Sequence, residues 1–384
     1  MVYAQGRTYY DADSHLMELS DWLARYADPD VRDRIRPLAL GGAGALAAEA
    51  VRAAEGRRSD PEAAAALEHD EMGPKGWGAL GAFDPGERSR VLDLLGFDSQ
   101  LVFSTFAPTQ FASDDLELLY GGTRAHNRAM VDFCSADRRL IPVGFVPLAD
   151  PECAFEATRE AVAMGCGAIL VPSVPPREKS PTHPDYWPVW AHLEETGVPF
   201  MLHVGGGGRP LRRAFHANGK PPVTDFLGGG ENIRSKDFIA LHHPPETFIA
   251  CMVLDGIFEQ FPGLRGGCIE QGALWVVPLL ERLDIAQATF RRTEPALNLP
   301  LRPSDYLRRQ MKFTPFPTEP VGWMVEQAGP ELFLFSSDYP HPEGGHDPLG
   351  RFETSLAGVD DDARERFYSR NFADMMGPVL GARV

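Results

Sequence analysis

Residues 140–171 read LIPVGFVPLADPECAFEATREAVAMGCGAILV: a short apolar run, an amphipathic stretch and a second apolar run. Ile141–Val146 and Ala168–Val171 show little polar–apolar alternation, the pattern of strands buried on both faces of a parallel sheet. Pro151–Met164 between them carries apolar residues at helical spacing. A strand, a helix and a strand in succession make one parallel crossover unit. The same alternation extends outward. Upstream lie the runs Thr8–Tyr10 and Gln100–Phe103 and the helical stretch Leu116–Phe133. Downstream lie Pro199–His203, Gly267–Ile269, Met311–Phe313 and Leu332–Phe335, with Trp275–Ile285 helical among them. Eight such units predict an α/β fold, a (β/α)8 TIM barrel, in preference to an open doubly wound sheet.

A chain of 384 residues is long enough to hold this barrel as a single domain, 1–384, with insertions. One insertion spans about residues 39–90 and opens with an Ala-, Gly- and charge-rich run, expected to form a helical cap or lid. The other is the loop 204–236, which holds Arg209, Arg212, Arg213, Lys220, Arg234 and Lys236 against only Asp225 and Glu231. A loop this long in a compact domain is usually functional or disordered. Its cations either pair with the acidic surface or recognise an anionic group of the substrate; on the second reading Arg209, Arg212, Arg213, Arg234 and Lys236 are substrate contacts.

The formal net charge is −17, which repels phosphate backbones and anionic membranes and makes nucleic acid a poor partner. No run of some 18 apolar residues suggests a membrane span, and the first residues lack the basic and apolar regions of a secretory signal. The five cysteines are odd in number and form no C-x-x-C pair, so a reduced, cytoplasmic enzyme is expected rather than a disulfide scaffold.

Chemistry-bearing residues gather where the strands are expected to end. Asp11-Ala12-Asp13-Ser14-His15 follows the first apolar run, and residues two apart in an extended segment point the same way, so Asp13 and His15 can converge on one ion. Glu18 can reach back to it if the chain turns. His203 ends the apolar run 199–203 and is followed by glycines. Glu270 ends the run 267–269, and Asp338 follows Leu332–Phe335 with His341 close behind. His242 and His243 are adjacent, so at most one is expected to join an ion. The metal-ligand candidates are therefore Asp13, His15, Glu18, His203, His242 or His243, Glu270 and Asp338, with Asp11 and His341 placed to orient ligands or relay protons. Aromatic residues near the same rim, Trp77, Phe103, Phe106, Phe111, Phe226, Trp275 and Phe316, permit a bulky apolar ligand.

These residues resemble the amidohydrolase superfamily, in particular its branch of aminocarboxymuconate-semialdehyde decarboxylase-like enzymes. The resemblance rests on DADSH (11–15), LIPVGFVPLADPECA (140–154), SPTHPDYWPVWAHLEETGVPFMLHVGG (180–206), DGIFEQFPGLRGGCIEQGALWVVPLLERLD (255–284) and FLFSSDYPHPEGG (333–345). It implies a TIM barrel of the metal-dependent hydrolase type, with a one-metal pattern that maps onto Asp13, His15, His203 and Asp338. Two departures stand out. The first pair is Asp13-x-His15 where the family often has H-x-H or E-x-H, and Glu270-Gln271 stands where its decarboxylases commonly place a proton-transferring histidine.

The added carboxylates Glu18 and Glu270 make the set similar to the TIM-barrel non-haem diiron monooxygenases of platensimycin-type diterpenoid biosynthesis. That resemblance implies two iron ions, hard oxygen donors being suited to oxidised iron. It implies an enzyme of secondary metabolism that hydroxylates a C–H bond of a bulky apolar substrate, an acyl-CoA whose phosphates meet the basic loop. An external electron donor would be required, and a homodimer is the expected assembly. The alternative is a mononuclear Zn- or Mn-dependent hydrolase or decarboxylase of the amidohydrolase family.

Overall fold

The structure, a computed structural model, describes residues 2–41, 43–60, 62, 65, 70, 72–208, 211–221 and 234–382. Seven strands, β1 (Tyr10–Leu16), β2 (Ser99–Ser104), β3 (Leu140–Phe145), β4 (Ala168–Leu170), β5 (Phe200–His203), β6 (Gly266–Ile269) and β7 (Met311–Phe313), form one parallel sheet in sequence order. The sheet curls until β7 and β1 face each other across the segment that follows Leu332. Phe313 donates to the Leu332 carbonyl (2.8 Å) and accepts from Leu334 (2.9 Å), while on the other side Ala12 donates to Phe335 (3.1 Å) and His15 to Tyr339 (2.7 Å). The eighth position of the barrel is thus filled, by isolated bridges at Phe313–Phe333 and Ser14–Tyr339 rather than by a regular strand. The expected strand Leu332–Phe335 makes only the isolated bridge at Phe333, and three residues past Phe335 the chain turns left-handed at Asp338, where φ is 54°.

Helices fill the crossovers, Leu116–Cys134 and Pro151–Met164 among them. Asp115 and Asp150 cap their N-termini through backbone amides, and Gly165 ends the second in a left-handed conformation. Side chains from alternate positions fill the barrel: Leu101, Ile141, Ala168, Met201, Ile269 and Leu334 pack together, with Phe372 and Met375 of the helix Asn371–Met376 joining this inner core. No helix among the described residues is long and apolar enough to cross a membrane, and all five cysteines are free.

The first strand begins later than expected: Asp11, Asp13 and His15 lie inside β1, not after Thr8–Tyr10. A bulge interrupts it, for Asp11 pairs with Gln100 but Ser14 with Val102, three steps on β1 against two on β2. A bulge re-aims side chains, and here it separates the two aspartates. Asp11 turns to Gln100 and Ser337, while Asp13 joins His15 at the barrel mouth.

The 39–90 insertion contributes the helix Ala43–Arg57, a 3-10 turn at Gly76–Gly78 and the start of the helix Pro85–Leu95. It touches the barrel's closing segment directly, the Gly76 amide donating to Pro340 at 2.9 Å. Of the 204–236 loop, the described part includes a 3-10 turn at Arg213–Phe215 and the start of the helix Ser235–Ala240.

Candidate metal centre

The C-terminal ends of β1, β5, β6 and the closing segment bring six buried side chains together: Asp13, His15, His203, Glu270, Asp338 and His341. They form two overlapping quartets. Asp13, His15, His203 and Glu270 make one; His15, Glu270, Asp338 and His341 make the other, and within each the potential ligand atoms lie within 4.8 Å of one another. Nε2 of His15 is 3.2 Å from Asp13, 3.4 Å from Asp338 and 3.8 Å from Glu270. Nε2 of His203 is 3.4 Å from both Asp13 and Glu270.

Protonation makes this arrangement unusual. Nδ1 of His203 lies 3.0 Å from the Val204 carbonyl, which can only accept, so Nδ1 carries the proton and Nε2 offers a lone pair. Burial, with His341 behind it, pushes His15 down to about 3, so its ring is neutral. The His203 lone pair therefore meets the lone pairs of the Asp13 and Glu270 carboxylates. Seating a cation between them converts each repulsion into a bond, and this mix of imidazole and carboxylate suits Mn, Fe or Zn. The residues present fit a divalent ion.

Asp338 belongs to a second arrangement. Its Oδ1 lies 3.3 Å from His341 Nδ1, and Nε2 of His341 lies 3.0 Å from the Thr105 hydroxyl. Thr105 donates its own proton to the Leu16 carbonyl at 2.9 Å, so it accepts from His341. With Nε2–H so used, His341 Nδ1 turns a lone pair towards Asp338 Oδ1. Burial raises the Asp338 carboxyl to about 7 against the pull of His341. The His341 ring also stacks on His15, centroids 3.8 Å apart. Both Glu270 and Asp338 have φ 54°, left-handed backbone that non-glycine residues seldom adopt and that marks functional positions.

Several expected residues lie elsewhere. Glu18 does not join the cluster: its carboxylate accepts the Phe106 and Ala107 amides at 3.0–3.1 Å, tying the chain after β1 to the turn after β2. Neither His242 nor His243 reaches it. Both mark the start of the helix His243–Leu254, where His242 stacks on Trp275 and faces Glu246 at 3.6 Å while His243 is exposed. Asp11 sits behind Asp13, accepting its amide at 3.2 Å. Of the basic loop, Arg212 and Arg213 are exposed and Lys236 donates to the Phe215 carbonyl, while Arg234 is half-buried. Arg209 and Phe226 lie outside the described residues.

One residue of consequence had no sequence signal. Lys75, from the 39–90 insertion, buries its ammonium without a hydrogen-bond partner among the described residues, 5.9 Å from the Tyr339 ring and within electrostatic reach of Asp338. Burial lowers it to about 8.

Over residues 10–375 the chain matches the profile of a family described as amidohydrolase. No curated protein sequence matches it. Among solved structures, an amidohydrolase from Mycobacterium avium subsp. paratuberculosis K-10 is similar in fold, with a TM-score of 0.74, 22% identity, and 97% of this chain and 100% of that one covered. The 5-carboxyvanillate decarboxylase LigW from Sphingomonas paucimobilis has a TM-score of 0.63 at 19% identity, over 97% of this chain and 99% of its own. A dihydroxybenzoic acid decarboxylase from Polaromonas sp. JS666, with bound manganese and the inhibitor 2-nitroresorcinol, has a TM-score of 0.62 at 16% identity, over 97% of each chain.

Proposed function

Since the chain belongs to the amidohydrolase family, we propose that it is a metal-dependent enzyme that removes the carboxyl group of a small carboxylated substrate. The observation that carries this reading is the juxtaposition of a cation-binding quartet and a proton-holding pair at one barrel mouth. Asp13, His15, His203 and Glu270 would hold one divalent ion. Manganese, which the decarboxylase from Polaromonas binds, is the first candidate. When bound, the ion supplies a Lewis acid that orients and polarises the substrate's oxygens.

The chain's own residues do the rest. The Lys75 ammonium adds positive charge on the Asp338 side and favours an anionic substrate. Loss of carbon dioxide leaves an electron pair on carbon, which must receive a proton. Asp338 holds one, shared with His341 over 3.3 Å, and this pair takes the task that a histidine after β6 would otherwise perform. His341 keeps its orientation through Thr105.

The test is to load the protein with Mn(II), supply a panel of benzoic acids with ring hydroxyl groups, and measure carbon dioxide release. Hydrolysis of the matching esters or amides, with no carbon dioxide released from any acid, would replace this reading with a hydrolytic one.

A second reading, the two-iron oxygenase, has one observation in its favour: the second quartet. Glu270 belongs to both quartets, and Asp338 and His341 would hold the second ion. On that reading the acyl-CoA substrate and external electron donor come with it. None of the similar structures named above is described as an oxygenase, and His15 cannot serve both quartets through one nitrogen. The one-ion reading is therefore preferred.

A further inference from the structure

The turn that follows β2 carries Thr105, and separate clamps fix where it sits. Thr105 itself donates to the Leu16 carbonyl at 2.9 Å. Glu18 accepts the Phe106 and Ala107 amides at 3.0–3.1 Å. A further clamp lies outside the metal-ligand cluster. Oγ of Ser104, the last residue of β2, is 2.8 Å from Nε2 of His126 on the helix Leu116–Cys134. His126 is buried among Trp22, Phe111 and Phe145, ring centroids 6.2–6.4 Å away. Burial pushes it down to about 4, so the ring is neutral.

The backbone at the end of β3 determines where each proton lies. Phe145 donates its amide to Asn127 Oδ1 at 2.7 Å and accepts from Asn127 Nδ2 at 3.2 Å, which fixes the end of that side chain that is oxygen. Nδ1 of His126 lies 2.9 Å from this oxygen, so it bears the ring's proton. Nε2 therefore carries a lone pair, and the Ser104 hydroxyl donates to it. Beside Ser104, Thr105 commits its own proton to Leu16, so towards His341 Nε2, 3.0 Å away, it accepts. His341 is thereby held in the Nε2–H form, with Nδ1 facing Asp338 at 3.3 Å. A Thr105 side chain that could rotate would donate to Nε2 instead. That would move the His341 proton to Nδ1 and reverse the polarity of its contact with Asp338.

We propose that His126, acting through Ser104 and Thr105, selects the tautomer of His341 and is a positioning residue for the proton-holding pair at the barrel mouth. Its effect on turnover rests on the decarboxylation reading; its effect on the tautomer does not. A side chain on a helix outside the barrel wall thus governs which nitrogen of an imidazole at the mouth is basic.

The experiment reads the nitrogen NMR shifts of the histidine rings in isotope-labelled, zinc-loaded protein, the His341 signals being those lost in His341→Asn. Carbon dioxide release by manganese-loaded protein is measured beside it. Native protein is expected to show His341 as a single Nε2–H tautomer. His126→Phe suits the aromatic surroundings but cannot accept from Ser104. It should show both His341 tautomers and lower kcat about tenfold, with KM and metal content unchanged. Ser104→Ala should do the same with a smaller change in volume, and it decides the matter if His126→Phe does not fold. His126→Gln, whose amide can donate to Asn127 and accept from Ser104, should restore the single tautomer and most of the turnover. A single Nε2–H tautomer in both His126→Phe and Ser104→Ala, or an Nδ1–H His341 in native protein, overturns the proposal. Native protein with the expected tautomer, lost in those two variants, but with no carbon dioxide release from any acid overturns the decarboxylase reading and upholds control of the tautomer.

Discussion

Ser337 grips both oxygens of the Asp11 carboxylate, donating its amide to one at 2.8 Å and its hydroxyl to the other at 2.6 Å. These bonds join the barrel's closing segment to its first strand immediately below the metal-ligand cluster, and Gln100 adds a third donor at 2.7 Å. Asp11→Asn puts a donor where acceptors are required. It should cost about 1–3 kcal/mol in urea unfolding and weaken Mn binding by about 10–100-fold, as expected for a residue that orients ligands. Unchanged values in both measurements would remove Asp11 from any positioning role.

The two ways of filling the centre separate cleanly by elemental analysis. With one ion in the first quartet, Glu270→Gln loses most of the metal, whereas Asp338→Asn and His341→Asn retain about one ion per chain but lose turnover by about 100-fold or more. With two ions, native protein carries two, and the Asp338 and His341 variants fall to one. Two irons in protein purified without oxygen would establish the second arrangement.

Burial pushes the Glu18 carboxyl up to about 7, outweighing the backbone amides it accepts. A carboxyl raised on folding binds its proton more tightly in the native state. The stability this confers is complete below the unfolded value near 4.5 and disappears as pH rises through about 7. Glu18→Gln stays neutral throughout. Metal-free native protein should therefore lose up to about 3 kcal/mol relative to this variant between pH 4.5 and 7.5. Parallel stability curves for the two proteins would contradict the shift.

Gly272→Ala meets two obstacles at once, a φ of +63° and ring atoms of Phe316 at 2.9 Å. Gly165→Ala meets backbone strain alone, since no atom lies within 4 Å of its Cβ. Both should destabilise, Gly165→Ala by about 1–2 kcal/mol and Gly272→Ala by more. Thermal melts of the two variants side by side would show whether the contact matters.

Lys75→Met should raise KM for a carboxylated substrate about tenfold while kcat changes little, with partial recovery in Lys75→Arg. Equal KM values would place the ammonium in packing rather than recognition.

The sequence foreshadowed the barrel well because parallel strands buried on both faces leave unbroken apolar runs, as in 140–145 and 200–203. It foreshadowed Asp13, His15, His203, Glu270 and Asp338 as neighbours because each lies near or just past the C-terminal end of a barrel strand. The oxygenase reading drew on Glu18, and spacing alone cannot tell a ligand from a carboxylate that binds amides three residues past His15. His242 and His243 misled for a related reason: they begin a helix, and one is held by Trp275. Lys75 was invisible because an insertion delivers it, and an insertion's docking site is set by tertiary contacts such as Gly76 on Pro340. The bulge in β1 left no periodic trace, so the different fates of Asp11 and Asp13 emerged only in three dimensions.

The twin left-handed residues set a limit on how durable this barrel can be. At φ 54°, Glu270 and Asp338 each hold backbone energy of about 1–3 kcal/mol that their side chains alone make useful. Glycine would release that energy while deleting the carboxylate, whereas alanine would delete the carboxylate and keep the strain. Selection for heat resistance without selection for turnover should therefore drift towards glycine at 270 and 338, trading the centre away for a tougher shell.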